Sequence, residues 1–151
     1  MILIEDSKQK KEHHVTKNEA WSQSGVTVMR CNMLVGDYCI PPKVVVDTKK
    51  NMQEIANNIG SDDHIRFKNS CILAQKMGTQ LYVLVENEEG IVDVSQVHKW
   101  INPDCIYRPK AIQGERLQKA MITMQERYGV IFRFCHPNDS ADVILKILTG
   151  G

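Results

Sequence analysis

Three consecutive valines at positions 44–46 open the part of the sequence that most limits how this chain can fold. An uninterrupted apolar run of this length is typical of a strand that is covered on both faces. Two segments with helical spacing of apolar residues follow, over 51–60 and 62–78, and then a second apolar run over 81–85. A strand, a helix pair and a strand in this order predict a crossover connection and a parallel neighbouring strand.

The same alternation of strands and helices extends over the rest of the chain. Asn51 can cap the first helix, Asp62 or Asp63 the second, and a polar loop is expected after the first strand. We predict that the first four strands begin one central sheet and that the fold class is α/β. The predicted strands cover 2–4, 26–33, 38–40, 43–47, 81–85 and 130–135, and the predicted helices cover 51–60, 62–78, 94–100, 115–128 and a last segment starting at Asp139 or Ser140.

Length and composition indicate an ordinary globular protein. The 151 residues, 42% hydrophobic and 25% charged, fit a single domain over 1–151 with a packed core. Five scattered cysteines, an odd number, favour a reduced intracellular protein, and the absence of a CxxC pair argues against structural zinc. No leader-like start and no long apolar run are present, so we expect a cytoplasmic protein that does not enter a membrane.

Net charge gives no general attraction to nucleic acid, because 19 Lys and Arg nearly balance 18 Asp and Glu. Any DNA contact must then come from a local patch. The candidate basic cluster comprises Lys8, Lys10, Lys11, His13, His14 and Lys17, and the residues predicted to bind DNA are Lys8, Lys10 and Lys11. The alternative interpretation is a solvated basic loop.

Two acids and a lysine are the candidate catalytic residues. Asp37 begins one predicted strand and Asp47 ends the next, so pairing of those strands would bring the two carboxylates side by side. Carboxylates that close repel unless a cation joins them, and oxygen ligands select Mg²⁺ or Mn²⁺. Lys49, two positions after Asp47, points to the same face of its strand.

This combination is suited to hydrolysis of a phosphodiester bond. The metal would activate a water molecule and the ammonium of Lys49 would neutralise developing charge. The backbone carbonyl of Thr48 could complete the coordination, and Glu54 follows on the next helix. The alternative is a surface salt-bridge cluster.

The order of motifs resembles the nuclease domain of the XPF-type structure-specific endonucleases, in the PD-(D/E)xK superfamily, and it does so over nearly the whole chain. The similar elements, in chain order, are Ile4-Glu5-Asp6-Ser7-Lys8-Gln9, Gly36-Asp37-Tyr38, Val46-Asp47-Thr48-Lys49, Ile65-Arg66-Phe67 and Tyr82-Val83-Leu84-Val85-Glu86. The resemblance implies a restriction-endonuclease-like, three-layer α/β/α fold with a central mixed sheet, in a standalone single-domain form.

The resemblance also implies roles for individual residues. Asp6 would be a further acid of the metal site, Arg66 would bind a phosphate, and Glu86 would support Lys49 or Arg66. Their alternatives are a loop cap, an ion pair with Asp62 or Asp63, and an exposed strand end. A homodimer formed through the late helices is expected.

We therefore expect a Mg²⁺-dependent endonuclease that cuts branched or flap DNA and needs no small-molecule cofactor. A Holliday-junction resolvase or a restriction-type duplex nuclease is the second hypothesis. Thr48 and Gln53 stand where the family has Arg and Asp. These departures support a third hypothesis, a degenerate scaffold that binds DNA or protein without cutting.

Overall fold

The structure, a computed structural model, describes residues 1–150 and divides the chain into two compact units. The first unit is Met1–Pro42, and the second begins at Lys43. Both contain strands and helices, so the predicted α/β class is confirmed. The single domain over 1–151 stays a prediction, and each unit is described by itself.

The first unit contains a mixed sheet of three strands, β1 (Ile2–Asp6), β2 (Thr27–Cys31) and β3 (Tyr38–Cys39), in the order β2-β1-β3. The pair β1 and β2 is parallel, with Ile2 opposite Thr27, whereas β3 runs antiparallel to β1.

A helical segment lies where a polar loop was expected. After β1 the chain forms a 3₁₀ helix, Lys11–His14, and then α1, Val15–Gln23. The loop prediction is wrong for this segment. The helix α1 was not recognised from the sequence because it has no apolar stripe at helical spacing, and none of its residues is buried. A helix with few apolar residues leaves little periodic signal in the sequence.

The second unit has a fully parallel sheet of β4 (Val44–Lys49), β5 (Gln80–Glu86) and β6 (Ile131–Cys135), in the order β4-β5-β6. The parallel neighbour predicted for β4 is confirmed. The expectation that the first four strands begin one sheet is wrong, because β3 pairs with β1 and β4 pairs with β5. In its sheet β4 is an edge strand, and its three valines are half-buried rather than fully buried.

Four helices accompany this sheet. Asn51 caps the first, as predicted, since its side chain accepts a hydrogen bond from the backbone N–H of Glu54 at 2.8 Å. Gly78 ends the second in the left-handed conformation (φ 69°), which glycine adopts without steric cost. The helices are α2 (Met52–Gly60), α3 (His64–Met77), α4 (Gly114–Tyr128) and α5 (Ser140–Thr149), with 3₁₀ helices over Val94–Lys99, Pro103–Ile106 and Pro137–Asp139.

The core of the second unit lies between one face of the sheet and helices α2, α3 and α4. Alternate residues of β5, Val83 and Val85, pack there, while Leu84 on the opposite face is also fully buried. The helix α5 contacts β4 and β5 and contributes nothing to this core cluster. The residues at the centre of the cluster are Met52, Ile55, Phe67, Cys71, Val83, Val85, Leu117, Met121 and Phe132. No helix within residues 1–150 is long and apolar enough to cross a membrane.

Candidate functional site

Asp47 and Lys49 form an ion pair at the carboxyl end of β4. Both side chains point to the same face because they are two residues apart on one strand. Lys49 Nζ lies 3.0 Å from Asp47 Oδ2, and the Lys49 side chain is 11% exposed against 42% for Asp47. The Lys49 side chain is therefore mostly buried, whereas the Asp47 carboxylate is accessible to solvent.

The ring of Phe67 provides the second contact of the Lys49 ammonium. Nζ lies 5.3 Å from the ring centroid, and Phe67, on α3, is buried. A buried ammonium is costly unless other groups replace its hydration, and here a carboxylate and an aromatic face do so. The carboxylate of Asp47 and the ring of Phe67 together fix the position of the Lys49 ammonium.

The pair opens into a polar cavity, which we call cavity A, of about 300 Å³. It contains three acids and two cations, so it can bind a cation and a phosphate at neighbouring points. The polar residues lining it include Asp47, Lys49, Glu54, Asp63, Arg66 and Ser70.

Helix α2 and its cap fix Glu54. Its Oε2 accepts a hydrogen bond from the backbone N–H of Lys50 at 2.7 Å, while its own N–H donates to Asn51. The carboxylate lies in the first turn of the helix, where the helix dipole favours a negative charge. Glu54 is therefore a carboxylate with a fixed orientation in the lining of cavity A.

Cavity A also contains residues that were not predicted as site residues. Asn58 lies four positions after Glu54 on α2, and Ser70 four positions after Arg66 on α3. Residues four apart share a helix face. The four-residue spacing from Glu54 and from Arg66 could therefore have identified Asn58 and Ser70. Asp63, considered only as a helix cap or ion-pair partner, lines the cavity as well.

Cys71 lies behind the site in the core. It is 1% exposed, and burial, with a smaller contribution from the charge of Asp47, raises the pKa of its thiol to about 11. The thiol is therefore neutral and unreactive at physiological pH.

Asp6 and Asp37 lie in the first unit, and hydrogen bonds there already involve both. The N–H of Asp6 donates to the carbonyl of Asp37 at 2.8 Å, Asp6 Oδ1 accepts from the N–H of Met33, and Gln9 donates to Asp37 Oδ1 at 2.9 Å. The Met33 bond lowers the pKa of Asp6. The strand pairing expected to bring Asp37 beside Asp47 is wrong, because β3 pairs with β1. Their grouping around one ion stays a prediction.

Glu86 is not among the residues that line cavity A, and the basic cluster belongs to the first unit. Glu86 ends β5 opposite Cys135, and burial together with the Glu86 charge raises the pKa of the Cys135 thiol. In the first unit Lys8 Nζ donates to the carbonyl of Met33 at 3.2 Å, and Lys10 and Lys11 are exposed.

A buried glutamate in the first unit was also missed from the sequence. Glu5, on β1, is 1% exposed, with Arg30 Nε 3.2 Å and His14 Nδ1 3.7 Å from its carboxylate oxygens. His14 also hydrogen-bonds the hydroxyl of Tyr38. The partners come from three distant segments, so only the tertiary structure reveals this cluster.

Comparisons with known proteins give a structural resemblance alone. No protein-family model and no curated protein matches the chain. Two solved structures, XPF from Aeropyrum pernix and XPF from Aeropyrum pernix in complex with DNA, are each 17% identical to it with a TM-score of 0.49. The matches cover 98% of this chain and 63% of the solved chains, so the chain spans less than two thirds of their length.

Proposed function

We propose that this chain is a metal-dependent DNA endonuclease that hydrolyses phosphodiester bonds in branched or flap DNA. The observation that supports it most directly is the ion pair between Asp47 and Lys49 at 3.0 Å, in the wall of a polar cavity. The acid can help to hold a metal that activates water, and the lysine beside it can neutralise charge developing on the phosphate; phosphodiester hydrolysis uses both functions.

Two cations of cavity A have separate roles in this proposal. Arg66, exposed on α3, presents a planar guanidinium that binds two phosphate oxygens at once. Lys49 presents a single charge, held by Asp47 and Phe67, that neutralises charge developing on the phosphate. One cation positions the substrate and the other stabilises the transition state.

The donor set of cavity A fits a hard divalent cation. Asp47, Glu54 and Asp63 offer carboxylate oxygens, the ligands that Mg²⁺ prefers, and Mg²⁺ commonly needs only one or two of them because it keeps several waters. No group of three or more His, Cys, Asp or Glu residues that could hold a metal ion occurs within 1–150. Asp47 and Glu54 would hold the ion, with Thr48 supplying a carbonyl. The ion would lower the pKa of a bound water.

The first unit supplies the remaining groups of the proposal. Asp6 and Asp37 would contribute further acids to the metal site. Lys8, Lys10 and Lys11 would bind DNA phosphates, and each phosphate they neutralise would steepen the slope of log affinity against log salt concentration by about 0.9.

Cleavage assays test this function directly. Labelled flap, fork, four-way junction and linear duplex DNA are incubated with the protein in Mg²⁺ and, as control, in EDTA. We expect cleavage of flap or fork DNA in Mg²⁺ alone. Preference for the four-way junction or the linear duplex would instead indicate a resolvase or a restriction-type enzyme. No cleavage of any substrate in Mg²⁺ or Mn²⁺ would overturn the proposal.

A DNA-binding scaffold without catalysis is the second candidate. The ion pair between Asp47 and Lys49 favours this scaffold, because the ammonium already balances the charge of the carboxylate without a metal cation. Calorimetric titration with Mn²⁺ separates the two candidates. Saturable binding that Asp47→Asn removes supports the endonuclease, and no binding supports the scaffold.

A homodimer formed through the late helices is part of the proposal. Apolar side chains are exposed on these helices, Ile122 on α4 by 41% and Leu145 and Leu148 on α5 by 61% and 47%. Apolar side chains left exposed on a helix are available to a protein interface. Light scattering at micromolar concentration tests this, and a monomeric mass would exclude it.

A further inference from the structure

A second cavity, cavity B, lies among helices α2, α3 and α4 and has a volume of about 270 Å³. Asn58 and Phe67 line both cavity A and cavity B. A ligand group in cavity B would therefore lie next to one bound in cavity A.

The charge of cavity B differs from that of the whole chain. Of the described residues that line it, three are basic (His64, Lys68 and Arg127) and none is acidic. The chain as a whole is nearly balanced, with a net charge of +1. An anionic ligand is therefore favoured at this cavity.

The floor of cavity B is apolar and aromatic. Ile59, Met124 and Tyr128 are half-buried, pack against the core and line the cavity. A half-buried tyrosine presents a rigid ring on which a planar group can stack. Cations around an aromatic floor are the features by which proteins bind unpaired nucleotides.

The side chain of Asn58 supplies an unused hydrogen-bond acceptor. Its Oδ1 is buried and has no hydrogen-bond partner among residues 1–150. A buried acceptor without a partner carries a free-energy penalty that a ligand N–H can relieve. The edges of nucleobases carry such N–H groups.

We propose that cavity B binds one unpaired nucleobase of the DNA strand whose phosphate occupies cavity A. The base stacks on Tyr128, donates a hydrogen bond to Asn58, and its flanking phosphate contacts Arg127 or Lys68. This inference rests on the proposed function and deepens it, because an unpaired base beside the cut explains a preference for branched over fully paired DNA.

A binding cycle in EDTA tests the inference without cleavage. The affinity of labelled flap DNA is measured by fluorescence anisotropy for the wild type and Tyr128→Ala, with and without an abasic site at the flap base. Loss of stacking predicts at least a fivefold weaker affinity for Tyr128→Ala on intact DNA. On abasic DNA the same substitution should have almost no effect, because the base it contacts is missing.

Matched variants separate binding from folding. Tyr128→Phe keeps the ring and should bind as the wild type does. Arg127→Gln should weaken binding, whereas Arg116→Gln, an exposed arginine on the same helix that lines neither cavity, should weaken it much less. Thermal unfolding confirms that each variant is folded.

The outcomes distinguish this inference from the proposed function. Equal losses for Tyr128→Ala on intact and abasic DNA, or no DNA binding at all, overturn the base site. Cleavage that remains in Mg²⁺ while the cycle shows no coupling means that only the base site fails. Coupling without cleavage of any substrate means that the base site holds and the endonuclease proposal fails.

Discussion

The ammonium of Lys49, on β4, lies 5.3 Å from the centre of the aromatic ring of Phe67, which belongs to α3. Phe67 also forms part of the walls of cavities A and B. One buried side chain thus contacts the proposed catalytic charge and lines both cavities. Its position links the packing of the core to the chemistry of the site.

Replacing Phe67 by Leu should therefore slow cleavage as well as lower the free energy of unfolding. The substitution keeps an apolar side chain but removes the aromatic face, so we expect roughly tenfold slower cleavage of flap DNA and a stability loss of about 1 to 2 kcal/mol. Single-turnover rates and urea unfolding measure the two effects. Phe132→Leu, a core substitution that lines neither cavity, is the control. Equal rate losses in both variants would contradict the role of the ring.

Cys71 should make stability depend on alkaline pH. Burial raises the pKa of its thiol from 9.0 to about 11, so the folded state favours the neutral thiol. The resulting stabilisation is fully present below pH 9 and is lost as the pH rises through about 11. Urea unfolding between those values should show stability falling more steeply in the wild type than in Cys71→Ala. Parallel slopes would contradict the prediction.

The buried glutamate of the first unit should be sensitive to loss of its charge partner. Arg30→Met leaves Glu5, 1% exposed, without the guanidinium 3.2 Å away. A buried pair broken on one side costs about 3 to 5 kcal/mol, and the partial exposure of Arg30, 25%, lowers our expectation to about 2 kcal/mol. Glu5→Gln combined with Arg30→Met should lose less than the sum of the single variants, as measured by urea unfolding. Simple additivity would show that the pair contributes nothing.

Gly114 should tolerate no side chain. A Cβ at this position would lie 2.5 Å from the carbonyl oxygen of Trp100 and 2.7 Å from that of Val97, both backbone atoms. Gly114→Ala should therefore cost about 1 to 3 kcal/mol although alanine favours helices. Gly90→Ala would strain a positive φ, but its Cβ would meet no atom within 4 Å. Comparing the two variants therefore separates steric contact from backbone strain. An unchanged melting temperature for Gly114→Ala would contradict the close contact.

Periodicity in the sequence predicted the second unit better than the first. Apolar runs and caps located β4, α2, α3 and β5 because each buries a regular face. Helix α1 lacks such a face and was missed. The division of strands between two sheets could not be predicted, because it depends on long-range pairing that a local pattern does not encode.

The candidate site was predictable to the extent that it lies on one strand. The spacing of Asp47 and Lys49 fixes their shared face, and the structure joins them in an ion pair. The four-residue spacing from Glu54 and Arg66 could have identified Asn58 and Ser70. Asp63 reaches cavity A only through the packing of α2 and α3, which sequence spacing alone does not determine.

Single-turnover cleavage of flap DNA in Mg²⁺ by Asp47→Asn is the most direct test of the central claim. We expect at least about 100-fold slower cleavage with unchanged thermal stability, because the substitution removes a charge at a partly exposed site without changing volume. Asp104→Asn, which breaks the exposed pair with Arg108 outside cavity A, should cleave normally. Wild-type cleavage by Asp47→Asn would contradict the claim that this carboxylate and Lys49 form the catalytic centre.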